Sequence, residues 1–186
     1  MRDILKAKQK DWLYVITKHV QEGLHRMGYI IVDTPIVLVH KKTQVDEELC
    51  QKLGYYVIES FNNGGTIVSN PGDFMIAHFD HPQNGWYDKF VSYFVNWLKN
   101  KGLNAELVNN DILVDGYKVC GTCITTYGRV DYTGFAISVN VNLDDIKAIC
   151  RKPMRKIPKG LSEFGITTED VEQMFIDFCT EVDQDC

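Results

Sequence analysis

Asn109–Cys123 reads NNDILVDGYKVCGTC. An apolar run (Ile112–Val114), an Asp115-Gly116 pair and a second run from Tyr117 give the pattern of two strands joined by a tight hairpin. The segment offers two chemistries. Cys120 and Cys123 form a Cys-x-x-Cys pair of the kind used for redox exchange or zinc, and Lys118 is a lone cation that the hairpin can bring to one surface with Asn110 and Asp111.

Context weakens the cysteine reading. A zinc half-site needs a second ligand pair at similar spacing, and Cys50, Cys150, Cys179 and Cys186 have no near cysteine partner. A thioredoxin-type pair opens a helix, whose N-terminus lowers the thiol pKa, whereas this pair sits in a β-rich stretch. Two small residues packed around Gly121 is the plainer role. For Lys118 the plain alternative is an exposed lysine on a solvated hairpin. The functional reading is a fixed cation between two anions, easing the approach of a carboxylate to a phosphate, with magnesium on oxygen ligands such as Asn110 and Asp111. Spacing alone leaves both open.

Around this hairpin, helical and strand periods alternate without repeats or low-complexity linkers. Trp12, Val15, Ile16, His19, Val20, Leu24 and Met27 recur at helical spacing, and YIIVD follows Gly28 as a strand. Strand, helix, strand is expected from IVLVH after Pro35, Asp46–Leu53 and YYVIES. TIVS and FMIAHF around Pro71-Gly72 read as a hairpin. Tyr87, Phe90, Val91, Phe94, Val95 and Leu98 draw the strongest helical stripe, within Asn84–Lys101. Leu103–Val108, Asp111–Val114, Tyr117–Ile124 and Gly134–Val141 are further strands. Asp144–Ile149 is a short helix, and Thr167 or Thr168 caps a last one with Val171, Met174, Phe175 and Phe178 on one face. The class expected is α+β: a mixed, largely antiparallel sheet with flanking helices.

The chain has 186 residues, 45% hydrophobic and 24% charged, which suits one domain with a single core. A net charge of -5 argues against a nucleic-acid footprint. The N-terminus MRDILKAKQKDW has no apolar core of a signal peptide, and no stretch is apolar over the roughly 20 residues a membrane helix needs. A cytoplasmic protein without disulfides is expected. His78-Phe79-Asp80-His81 offers metal ligands but no completing cluster, and Asp80 can instead begin the turn into the long helix. Lys147, Arg151, Lys152, Arg155, Lys156 and Lys159 concentrate positive charge in an otherwise acidic chain, usually the mark of a solvated loop.

NNDILVDGYKVCGTC resembles the lysine segment of lipoate-protein ligases: Asn-Asp, two apolar residues, a turn, then Lys-apolar-Ser-Gly-Ser-Ala. PIVLVHKKTQVDEELCQKLGYYVIESFNNGGTIVSNPGDF is similar to the family's strand, helix and strand before an Arg-Arg-x-x-Gly-Gly-Gly loop, and TGFAISVNVNLDDIKAI to the segment ending the catalytic core in lipoate ligases, octanoyltransferases and biotin ligases. The resemblance spans about Thr34 to Pro153. It implies a biotin/lipoate ligase-like catalytic domain, with Lys118 as the essential lysine and Cys120 and Cys123 at positions of small residues. It further implies a ligand surface including Gly64, Gly65, Asn70, Asn110, Asp111 and Gly121, and Mg2+ on Asn110 and Asp111. The implied activity is ATP-dependent activation of lipoate, octanoate or biotin as an acyl-adenylate, followed by transfer to a carrier-protein lysine. An acidic lipoyl- or biotinyl-carrier protein would dock on Lys147–Lys159.

The departures are specific. The arginine pair falls at Glu59 and Ser60, the first of the three loop glycines at Asn63, and the usual His-Asp at Ser69-Asn70. Glu59 does not hold an anion. The small accessory domain that follows the core of full-length lipoate ligases is not expected here. Octanoyltransferases of the same fold use no ATP and pass the acyl group through a cysteine thioester, and Cys150 lies two residues from the position that cysteine would take. A third expectation, carried by Glu59 and Ser60, is a degenerate fold that binds a lipoyl-like ligand or a protein without catalysis.

Overall fold

The computed structural model describes residues 4–6, 8–9, 11, 26–59, 65–80, 85–127 and 130–184. The helical stripe from Trp12 to Leu24 lies outside them, as do Ser60, Asn63, Gly64 and His81. Among the described residues ten strands form two sheets. The larger runs β1 (Ile4–Lys6), β2 (Arg26–Ile31), β6 (Phe74–Asp80), β10 (Val130–Ile137), β9 (Tyr117–Tyr127), β8 (Asp111–Val114) and β7 (Ala105–Val108) from edge to edge. All its pairings are antiparallel except β1 with β2. In the smaller sheet β3 (Ile36–Val39) lies between β4 (Tyr56–Glu59), parallel to it, and β5 (Ile67–Ser69), antiparallel.

Side-chain alternation explains the layers. Along β6 every residue is buried, but Phe74 and Ile76 face one core while Met75, Ala77 and Phe79 face another. The first core lies under two amphipathic helices, α2 (Trp86–Asn100) and α4 (Thr168–Gln184), whose apolar stripes place Phe90, Phe94, Phe175 and Phe178 against Phe135 and Ile137. The second joins the large sheet to the small one through Ile36 and Leu38. On the far side of the small sheet, Val37 and Val39 pack with Cys50 of α1 (Glu47–Lys52) and Ile149 of α3 (Leu143–Ile149). No helix among the described residues is long and apolar enough to cross a membrane.

Three expectations need correction. TIVS and FMIAHF are not a hairpin, because β5 pairs with β3 and β6 lies between β2 and β10 in the other sheet. The Pro71-Gly72 turn carries the chain across. Gly72 has φ +92°, and a Cβ there would lie 2.5 Å from Asn140 Nδ2. Second, Met27 belongs to β2 rather than to a helix. Third, β10 ends at Ile137, short of Val141, and starts earlier than Gly134, its pairing running back to Asp131 with β6 and to Val130 with β9. Asp80 closes β6 opposite Asp131, and the turn after it lies outside the described residues.

Candidate active site

Lys118 owes its direction to an irregularity in the hairpin. Asp111 pairs with Gly121 and Ile112 with Cys120, but Leu113 pairs with Lys118, so Val119 is the extra residue of a β-bulge. Val119 and Cys120 are consecutive and both wholly buried in the helix-side core. In a regular strand Lys118 would point the same way as Cys120, into that core. The bulge turns it to the opposite face, where a Cβ on Gly121 would come within 3.2 Å of Lys118 Nζ and 4.0 Å of Asp111 Oδ1.

On that face Asp111 is gripped from two sides. Lys118 Nζ lies 2.7 Å from Oδ1, and Lys156 Nζ lies 3.0 Å from Oδ2. Lys156 also donates to the carbonyl of Val108 at 2.7 Å. Partial burial raises the Asp111 carboxyl, but the hydrogen bond and charge of Lys118, with those of Lys156, outweigh it and hold the group below the usual carboxylate range. None of the three is sealed off: side-chain exposures are 36% for Lys118, 23% for Asp111 and 20% for Lys156.

Lys156 arrives on a return segment. The N–H of Lys118 donates to Ile157 O at 2.9 Å, that of Lys159 donates to Lys118 O at 3.0 Å, and Lys118 bridges Pro158 in parallel. Lys159 is anchored over the rings of Tyr117 and Phe164. Asn110 sits in the exposed turn before β8, after Asn109 at φ 59°, and its carbonyl accepts the Thr122 N–H at 2.8 Å. The donor set does not fit a divalent cation as it stands. Both Asp111 oxygens face ammonium groups, and among the described residues no group of three or more His, Cys, Asp or Glu could hold a metal.

The other candidates lie in different settings. Gly65 is exposed, has no left-handed φ, and an added Cβ there would meet no atom of the described residues within 4 Å. Glu59 ends β4 and accepts the Lys42 N–H at 3.3 Å. Asn70 is buried with both ends of its amide engaged: Tyr55 Oη donates to Oδ1 at 2.7 Å, and Nδ2 donates to Asn140 O at 3.1 Å. Beside it, Asp73 accepts backbone N–H groups of Asn70, Val139 and Asn140 at 2.7 to 2.8 Å. Burial nevertheless pushes its carboxyl up to about 7. Cys150 caps α3, pairs with Val45 and packs beside Cys50 and Ile149. Burial pushes its thiol up, opposite to the need of an attacking thiolate. The His78 ring stacks on Trp86 with centroids 4.1 Å apart, and its Nε2 lies 3.7 Å from Asp80.

Cys120 and Cys123 point to opposite faces of β9. Cys120 belongs to the helix-side core and Cys123 packs against the inter-sheet core, near the space a Cβ on Gly134 would take. Burial raises both thiols, that of Cys123 to about 11. The fold thus gathers Lys118, Asp111 and Gly121, with Asn110 one residue away, and adds Lys156. The sequence shows Lys156 only as one of six cations in a basic run; no periodicity distinguishes the one that reaches Asp111.

Residues 12–177 match the family model "Lipoyl protein ligase A/B catalytic domain", and the chain belongs to that family. Among solved structures, the putative lipoate protein ligase of Thermoplasma acidophilum with bound lipoic acid is similar, with TM-score 0.79, 17% identity, 97% of this chain and 84% of that one covered. A lipoate-protein ligase A bound with ATP gives TM-score 0.80, 17% identity and the same coverages. A bipartite lipoate protein ligase described with its E2 lipoyl domain, also from T. acidophilum, gives TM-score 0.76, 16% identity, 97% and 82%. At these identities the likeness shows the fold. Among curated proteins none matches the sequence.

Proposed function

We propose that this chain activates a lipoate-type carboxylic acid and transfers the acyl group to a carrier-protein lysine, with Lys118 as the catalytic residue. One observation carries the reading: the β-bulge at Val119 turns Lys118 out of the apolar core and onto a partly open face beside Asp111 and Lys156. A regular strand would have buried it.

In the activation step a carboxylate oxygen of the acid attacks the α-phosphorus of ATP, the bond to the bridging β-phosphate oxygen breaks, and pyrophosphate leaves. An amine of the acceptor lysine then attacks the acyl carbonyl, loses its proton and expels AMP. Both steps crowd negative charge, and a fixed ammonium relieves it. Lys118 would face the reacting phosphate, and the glycines at 64 and 65 would let backbone N–H groups approach. With Glu59 and Ser60 in place of an arginine pair, Lys156 supplies a second cation from another part of the chain. The names of similar structures, one with lipoic acid, one with ATP and one paired with an E2 lipoyl domain, support acid, nucleotide and carrier as the ligand classes. Exposed Arg151, Lys152 and Arg155 suit the approach of an acidic carrier domain.

Intact-mass spectrometry of the protein with ATP, magnesium and lipoate, octanoate or biotin tests this: a retained acyl-adenylate is expected with one of the acids. A hydroxylamine-sensitive adduct formed from octanoyl carrier protein without ATP, and lost in Cys150→Ser, would replace the adenylate route with a thioester.

A further inference from the structure

Asp111 is an unusual partner for a cation that must meet an incoming anion, since it already holds that cation at 2.7 Å. Its second oxygen holds Lys156 at 3.0 Å, so one carboxylate bridges two ammonium groups from segments far apart in the chain. Two oxygens bound to one atom, each facing an amine, is also how a phosphate or an acyl carboxylate would sit between the same lysines. We infer that Lys118 and Lys156 together form a two-ammonium seat for such an oxyanion, and that Asp111 is the internal counter-ion which the incoming anion displaces.

Three features support the inference. The cluster carries one surplus positive charge. Lys156 stays anchored through the Val108 carbonyl when its hold on Asp111 is given up, so the seat keeps its second cation in place. The backbone of the return segment is fixed to that of Lys118 by two hydrogen bonds, which sets the separation of the lysines independently of Asp111. Asp111 therefore sets occupancy more than it sets geometry. Without a ligand it quenches the seat and keeps two ammonium groups from repelling each other; with a ligand it is released toward solvent or toward whatever cation accompanies the phosphates.

The inference rests on the reading of Lys118 as the working cation of this site, but its test needs no acyl chemistry. Calorimetric titration of inorganic pyrophosphate in EDTA, with octanoate as a separate arm, compares the native protein with Asp111→Asn, Lys156→Met and Lys156→Arg. Asp111→Asn should bind pyrophosphate roughly tenfold tighter, because an opposing charge a few ångströms away is gone. Lys156→Met should bind about tenfold weaker, and Lys156→Arg within about threefold of native. Tighter binding of octanoate than of pyrophosphate would assign the seat to the acid. Unchanged or weaker binding of both anions in Asp111→Asn, no effect of Lys156→Met in either arm, or no binding by any of these proteins would overturn it; thermal denaturation shows that each variant is folded. An intact binding pattern without acyl-adenylate would defeat the acyl-transfer reading alone, and adenylate formation without the pattern would remove the seat alone.

Discussion

The polar cluster around Asp73 and the one around Asp111 are built differently, and their contrast separates chemistry from architecture. Around Asp73 and Asn70 the polar atoms are buried and engaged by backbone or by Tyr55, locking the turn between the sheets to the end of β10. Around Asp111 three charged side chains meet at the margin of the large sheet, each 20 to 36% exposed, held by one another more than by backbone. The first arrangement directs its hydrogen bonds to the fold. In the second the partners are charges whose ion pairs a competing ion can replace. A polar cluster is a candidate site when its bonds can be exchanged without loss of the fold.

The largest expected effect falls on the exchangeable cluster. Lys118→Ala should lower acyl activation by about 100- to 1000-fold or more, the range seen when a transition-state charge partner is removed. Its melting temperature should stay within about 3 °C of native, since the lysine is partly exposed and Asp111 keeps Lys156. Turnover that survives the substitution would show that Lys118, like Asp73, serves the architecture and not the chemistry.

Asp73→Ala should do the reverse. Three backbone N–H groups would lose their acceptor, at about 1 kcal/mol each or more, and melting should fall by roughly 10 °C. Asp73→Asn refines this through pH. The folded carboxyl, at about 7, lies above its ordinary range, so the native state binds the proton more tightly than the unfolded chain. Its contribution is complete below about pH 4 and is lost as pH rises through about 7. The stability of the native protein relative to Asp73→Asn should therefore grow as pH is lowered from 8 to 5. Asp111, whose carboxyl is depressed, acts in the opposite sense: its contribution is present above about pH 4 and is lost only as the solution becomes more acid. A native-minus-variant difference that stays flat from pH 8 to 5 would mean that Asp73 is ionised throughout and that its three N–H bonds outweigh burial.

The contrast also explains what could be read in advance. The β8–β9 hairpin was legible because Asp115 and Gly116 both take positive φ, 50° and 81°, the conformation that an Asp-Gly pair favours in a two-residue turn. The faces of α2 and α4 were legible because their apolar spacing is regular over three turns or more. The bulge was not, since Val119 reads as one more step of the alternation until the partner strand fixes the register. The sheet exchange at Pro71-Gly72 was hidden for a related reason: turn residues mark a reversal of the chain but not which strands will pair afterwards. Lys118, Asp111 and Gly121 came from the hairpin and from family resemblance, while the role of Lys156 depends on a contact between segments about 40 residues apart.

The smallest effect should come from the cysteine pair. Residues three apart on an extended strand lie about 10 Å from one another, and odd spacing sends their side chains to opposite faces. A disulfide requires Cα atoms within about 7 Å, so Cys120 and Cys123 should not cross-link when the folded protein is mildly oxidised. Cys123→Ala should cost less than about 1 kcal/mol, as the site is only partly buried and loses one sulfur atom. Cys120→Ser should cost somewhat more, about 1–2 kcal/mol, because it sets a hydroxyl in a wholly buried position. The Gly121 carbonyl that accepts the thiol at 3.5 Å can accept that hydroxyl and limits the loss. Cys120 points away from the face that carries Lys118, and Cys123, though on that face, packs toward Gly134 and the inter-sheet core rather than toward Asp111, so activity should follow the folded fraction. Peptide mapping after diamide treatment checks the geometry directly: a Cys120–Cys123 disulfide formed without unfolding would show that β9 can leave its register, and with it the bulge that aims Lys118.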